Sequence, residues 1–176
     1  MKCSSCKVGT LEPAYFEGLF ACHSCSHCGG DLILLGDYIK WQSNNVNDEI
    51  APEASVDMVA QETSRAMVCP LSGTLMTKYR IAADTEHRLD LSPAINAVWL
   101  DKGEWNLLKE KGLANKLATI FTNHWQRSII AEERSALISD INQEKFGDKY
   151  KQINEFKALI SEMPNRSEVI AYLLAD

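Results

Sequence analysis

Two stretches near the start of the chain carry residues suited to metal chemistry. These are Cys3-Ser-Ser-Cys6, and the run CHSCSHCGG at 22–30, with Cys22, His23, Cys25, His27 and Cys28. A Cys-x-x-Cys turn aims backbone amides at its sulfurs and brings two thiolates onto one ion. A second such turn, roughly 15–20 residues on, completes the tetrahedral four-cysteine set of a zinc ribbon. The second run holds two pairs with that spacing, Cys22 with Cys25 and Cys25 with Cys28. A four-thiolate site has no open position for water or substrate, so the single Zn2+ expected here is structural and not catalytic.

Alignment of the chain with itself discriminates between the pairs. Residues 25–38, CSHCGGDLILLGDY, align without gaps on 92–105, SPAINAVWLDKGEW. Upstream, Cys3-Ser-Ser-Cys6 with Gly9-Thr10-Leu11 matches Cys69-Pro-Leu-Ser72 with Gly73-Thr74-Leu75. The chain therefore reads as one unit present twice, the first with four cysteines and the second keeping only Cys69. In this register Cys22 meets Leu89, an apolar strand position, while Cys25 and Cys28 form the turn before the glycine pair. The expected ligands are Cys3, Cys6, Cys25 and Cys28, with Cys22 a small buried hydrophobe. The alternative set replaces Cys28 by Cys22. His23 and His27 read as flanking residues, His27 within reach of a hydrogen bond to a thiolate.

The pattern resembles the bacterial TFIIB-like zinc-ribbon family, in which two Cys-Pro-x-Cys turns are followed by Gly-Gly-Val-Trp-Leu-Asp-x-Gly-Glu-Leu. VWLDKGEW at 98–105 looks like that closing signature, with CPLS and SPAI where the metal turns would be. Residues 3–38 resemble the same family with the metal site kept and the Trp-Leu-Asp segment blurred to LILLGDY. The closing YKQINEFKALISEMPNRSEVIAYLL is similar to the helical tail of some members. The resemblance implies a zinc-ribbon fold and little about activity, because fold does not carry function.

The elements that must position these residues follow from pattern. Residues 68–100 read as short strands, VCPLSGTLMTKYRIAA and then HRLDLSPAINAVWL. From Asp101 the apolar spacing becomes helical: Trp105, Leu108, Leu113, Leu117, Ile120, Phe121 and Trp125, then Ile129 to Ile141, then Tyr150 to Met163. Asp101 with Glu104, and Asn165 with Glu168, fit capping boxes. The polar, acidic stretch 42–67 has five acids against Arg65 and reads as a linker with a short helix over 57–67. The fold class expected is α+β: a zinc ribbon over 1–41, the linker over 42–67, a metal-free ribbon-like unit over 68–103, and a helical bundle over 104–176. Burial of Ile95 where a thiolate would sit, with Leu91, Val98, Trp99 and Leu100 around it, is expected to replace the metal in the second unit. That unit would then pack on the C-terminal helices, leaving the zinc ribbon to hang from the linker. Cys69 is expected to be a buried relic, Trp99 and Trp105 packing residues, and His124 and Trp125 part of a helical core.

Function is bounded more loosely. The 176 residues carry a formal charge of −6 and 45% hydrophobic residues, with no apolar run of membrane-spanning length. The start, MKCSSCKVGT, lacks the apolar segment of a signal peptide, so a cytoplasmic protein is expected. No nucleophile–base pair, phosphate-binding glycine loop or open metal site is visible, so the expectation is a non-enzymatic interaction module. The acidic balance favours a protein partner, transcription-related in one version. Nucleic-acid binding through the first ribbon is the alternative, resting weakly on Lys2, Lys7 and Lys40 against four acids in residues 1–41. A redox- or zinc-responsive switch is the third reading.

Overall fold

Short apolar runs punctuated by tight turns dominate the first hundred residues, and they form strands. In the computed structural model, which describes residues 1–45, 60 and 64–175, the chain divides into two compact units, Met1–Ile130 and Ala131–Asp176. In the first unit, Glu17 and Gly18, both left-handed at φ 46° and 73°, turn the chain between β1 (Leu11–Phe16) and β2 (Phe20–Cys25). The strand β3 (Asp31–Leu34) follows antiparallel to β2, and then α1 (Leu35–Asn44). The strands β4 (Thr77–Arg80), β5 (Arg88–Ser92) and β6 (Ala97–Leu100) repeat this antiparallel arrangement. The helix α2 (Glu104–Glu110) follows β6 as α1 follows β3.

The two sets of three strands are not separate. β3 and β6 pair antiparallel, with Leu32 opposite Trp99 and Ile33 opposite Val98, giving one six-stranded sheet in the order β1-β2-β3-β6-β5-β4. Residues 1–41, expected as a ribbon hanging from a linker, are instead part of this sheet, and the two compact units divide after Ile130. The reason lies in the third strands: Leu32 and Ile33 of β3, and all four residues of β6, are buried. A strand apolar on both sides belongs in the interior of a sheet.

Side-chain alternation gives the sheet two different faces. Cys22, Ile33, Leu89, Leu91, Val98 and Leu100 point to one face and share a core with Tyr38 of α1, Trp105 and Leu108 of α2, and Leu117 and Ile120 of α3 (Leu117–Ile120). Trp125, in α4 (Asn123–Phe146), packs on this core and donates from Nε1 to the Ile81 carbonyl at 3.0 Å. His124 is exposed. The opposite face buries Cys3, Leu11, Cys25, Leu32, Met67, Cys69, Met76, Ala97 and Trp99. Leu91, Val98 and Leu100 thus lie on the helix face, away from the Cys69 turn, and Ile95 is 37% exposed; none of them fills a missing metal position. The short helix expected over 57–67 lies mainly outside the described residues, and Trp41–Asn44, next to or within the stretch expected as linker, close α1.

The second unit contains the end of α4, then α5 (Tyr150–Ser161) and α6 (Arg166–Leu173). The Ser139 and Tyr150 hydroxyls meet at 2.8 Å and link α4 to α5. None of its described residues is buried, so the helices are present without the bundle core expected for them. Asn165 does precede α6, but its side chain makes no capping hydrogen bond.

Candidate metal centre

Cys3 and Cys6 lie in the turn before β1. Cys25 ends β2, and Cys28 lies in the turn to β3. The sheet brings the two turns together on the face opposite the helices. Their four sulfurs all lie within 4.8 Å of one another, with Cys3 Sγ 3.8 Å from Cys28 Sγ and Cys6 Sγ 3.7 Å from Cys25 Sγ. A tetrahedron of thiolates at a Zn–S distance of about 2.3 Å has edges of about 3.8 Å. Sulfurs at these distances, with no further ligand in the group, fit one structural Zn2+ and no open coordination site. Neither His23 nor His27 joins the group among the described residues.

Strand alternation explains the exclusion of Cys22. It is three residues before Cys25, so its side chain leaves the other face of β2, where it packs with Ile33 in the helix-side core. Burial raises its thiol pKa, as expected of an inert, uncharged side chain.

The backbone of the first turn prepares the site. The Gly9 amide donates to Cys6 Sγ at 3.3 Å, and hydrogen bonds from the backbone of Gly9 and Val8 pull the Cys6 thiol down to about 6. Burial raises Cys3 and Cys28, so in the metal-free chain those two thiols hold their protons more tightly. Gly9 must be glycine, because a Cβ there would come within 2.5 Å of Cys25 Sγ.

A second set of contacts joins this centre to the other half of the sheet. The Trp99 indole lies against Gly30, leaving a Cβ there only 2.3 Å from Cζ2. Trp99 Nε1 donates to Asp101 Oδ1 at 2.7 Å, and Ser5 Oγ, inside the first metal turn, donates to the same oxygen at 3.3 Å. Glu104 supplies its half of the expected capping box, accepting the Asp101 amide at Oε2 (2.8 Å). Asp101, however, spends its carboxylate on Trp99 and Ser5. Glu104 Oε1 meets His87 Nε2 at 2.6 Å, and burial raises the Glu104 carboxyl to about 7 against the opposing pull of His87. Trp105 and Lys109 both donate to Glu17 in the β1–β2 turn, at 2.9 and 3.0 Å. Ser5, Glu17 and His87 have no signal in the sequence, since each takes its role from a partner 17 to 96 residues away.

The turns beginning at Cys69 and Ser92 repeat much of this backbone with one sulfur in place of four. Gly73 donates to the Cys69 carbonyl at 2.9 Å, as Lys7 does to Cys3 at 3.0 Å. Lys7 and Gly73 are both left-handed, as are Gly29 and Asn96. Cys69 is wholly buried. The Ser72 and Ser92 hydroxyls meet at 3.1 Å, close to the separation of Cys6 and Cys25. Burial raises the Cys69 thiol, but hydrogen bonding to Ser72 and Ser92 outweighs it and leaves the pKa lowered.

Beside the metal turns is a cavity of about 260 Å³, lined by Tyr15, Glu17, Asp31, Lys102 and Trp105 among others. Among the described residues no helix is long and apolar enough to cross a membrane. Residues 2–44 match the model of the transcription factor zinc-finger family, a TFIIB-type zinc ribbon. No curated protein and no solved structure matches the chain.

Proposed function

We propose that the chain is a non-enzymatic zinc-binding module that docks a protein partner, and that its first unit is a zinc ribbon fused to a second copy that has lost its metal. The closed thiolate tetrahedron carries this reading. With all four sulfurs turned toward one ion, the zinc can hold a surface in shape but offers no position at which to bind or activate a substrate. The duplication is supported by register. A shift of 67 residues superposes the pairing of β2 with β3 on that of β5 with β6: His23–Leu32 falls on Asp90–Trp99, and Ser24–Asp31 on Leu91–Val98. Under that shift Leu32 and Trp99 are equivalents, and they pair with each other across the centre of the sheet.

The cavity beside the zinc turns supports a protein partner over a nucleic acid. Glu17, Asp31 and Asp101 are among its lining residues beside Lys102, and Tyr15, which also lines it, is exposed. A lining with three acids and one base gives a phosphate backbone little electrostatic hold. Nucleic-acid binding is kept as a second reading because of the transcription-factor description of the matching family.

An affinity pull-down from the native cell separates these readings, comparing wild type with Cys25→Ser/Cys28→Ser and with Tyr15→Ala, each with and without nuclease. Protein partners that survive nuclease and are lost with either variant support docking. Partners lost on nuclease treatment put the nucleic-acid reading first.

A further inference from the structure

We infer that the C-terminal unit is a homodimerisation element, in which the helices of residues 131–175 pack against the same helices of a second copy. Eleven large apolar side chains of this unit are exposed, among them Leu137 and Ile141 of α4, Ile153 and Phe156 of α5, and Ile170 and Leu173 of α6. Along α5 and just past its end, Ile153, Phe156, Ile160 and Met163 follow the three–four spacing of a helix-packing seam. In α4, Leu137 and Ile141 stand one turn apart. Helices of 12 and 8 residues, such as α5 and α6, are marginal in water unless an apolar face is covered. A unit of this size with none of its described residues buried is far below what a self-sufficient core requires.

The charges select a second copy as the cover. The α4 portion 131–146 is acidic, with Glu132, Glu133, Asp140 and Glu144 against Arg134 and Lys145. The following segment through α5 is basic, with Lys149, Lys151 and Lys157 against Asp148 and Glu155. A two-fold axis between two copies sets the acidic α4 segment of each against the basic α5 segment of the other and covers the exposed apolar side chains of both. A strongly acidic or strongly basic partner would match one helix and oppose the other. This inference is independent of what the zinc ribbon docks.

Sedimentation equilibrium on the full zinc-loaded chain tests it. The wild type is expected at the mass of two chains. Ile141→Glu and Phe156→Glu are expected at the mass of one, with zinc content and the circular dichroism of the first unit unchanged, since both side chains are exposed within the chain. A wild type that stays at one chain up to near-millimolar concentration overturns the inference, as do glutamate variants that remain dimeric. Orientation is read by mixing Asp140→Lys/Glu144→Lys with Lys151→Glu/Lys157→Glu in equal amounts. Heterodimer in excess of the statistical half supports the acidic-to-basic arrangement, and a random mixture overturns it.

Discussion

The turns at Cys3–Cys6 and Cys25–Cys28, and those at Cys69–Ser72 and Ser92–Ile95, use closely similar backbone for two different means of closure. The first pair converges four sulfurs in the geometry of a zinc site. The second holds the same neighbourhood with one buried thiol and a hydrogen bond between two serine hydroxyls. A hydroxyl pair contributes about 1 kcal/mol, whereas a structural zinc contributes on the order of 10 kcal/mol. The second pair therefore survives through its surroundings. β6 is sealed against β3, α2 and α3 cover the helix face, and Trp99 is anchored to Asp101. A turn pair of this backbone thus holds without four thiolates when a neighbouring strand and a few helices surround it.

The largest effect is expected from removing the zinc. Chelation, or Cys25→Ser, should destabilise the first unit by several kcal/mol, a substantial part of the ~10 kcal/mol such an ion supplies. Because β3 and β6 are one ladder, hydrogen exchange should accelerate in β4–β6 as well as in β1–β3. Protection lost in residues 1–34 alone would show the two halves to be independent.

The converse experiment rebuilds the missing site. Ser72→Cys/Ser92→Cys/Ile95→Cys, with the native Cys69, should raise the zinc content from one ion to two per chain by elemental analysis. The gain in stability should be several kcal/mol. A triple variant that still binds one zinc would break the proposed equivalence of the turns.

A smaller loss is expected for Asp101→Ala, which leaves the buried Trp99 Nε1 without an acceptor and releases Ser5. Urea denaturation should show a cost of about 2–3 kcal/mol. Zinc exchange should quicken as well, because the first metal turn loses its tie to β6.

The smallest effect depends on pH. Glu104 binds its proton more tightly in the folded chain, at about 7 against an ordinary value of 4.5. The folded state thus holds more protons than the unfolded state between those values. The contribution of Glu104 to stability is greatest below about 4.5, falls as pH rises through the window and is constant above about 7. Between about pH 5.5 and 7, Glu104→Gln should remove roughly 2 kcal/mol of that fall. Denaturation midpoints measured from pH 5.5 to 8 with zinc in excess would check this; an unchanged slope would assign the pH dependence to other groups.

Much of the metal centre is legible in the sequence because zinc dictates ligand spacing, and spacing is written in the chain. The separation of Cys22 from the ligands is legible for a similar reason, since the match to Leu89 sets its strand parity. The helix α1 goes unread, although Gly36-Asp37-Tyr38 aligns on Gly103-Glu104-Trp105, which open α2. The union of the two halves is not legible, because a strand's own residues show that it is interior but not which strand lies beside it. Ile95 is misplaced when an apolar residue at a ligand position is read as a buried one. Its turn is instead held by Ser72, Ser92 and Cys69, and the side chain is partly in solvent. The C-terminal helices are read correctly as helices, but periodicity shows that an apolar face exists without showing what covers it.

The pairing of β3 with β6 also bears on how the molecule avoids its own aggregation. A lone ribbon would leave β3 as an open, apolar edge, able to recruit the strand of any neighbour. Joining the two halves hides both such edges at once. What remains at the rims are β1, where Pro13 removes a donor and Glu12 adds charge, and β4, which carries Lys78 and Arg80. Proline and charge are the usual guards of an outer strand, so the fused sheet ends on both sides in residues that discourage further growth.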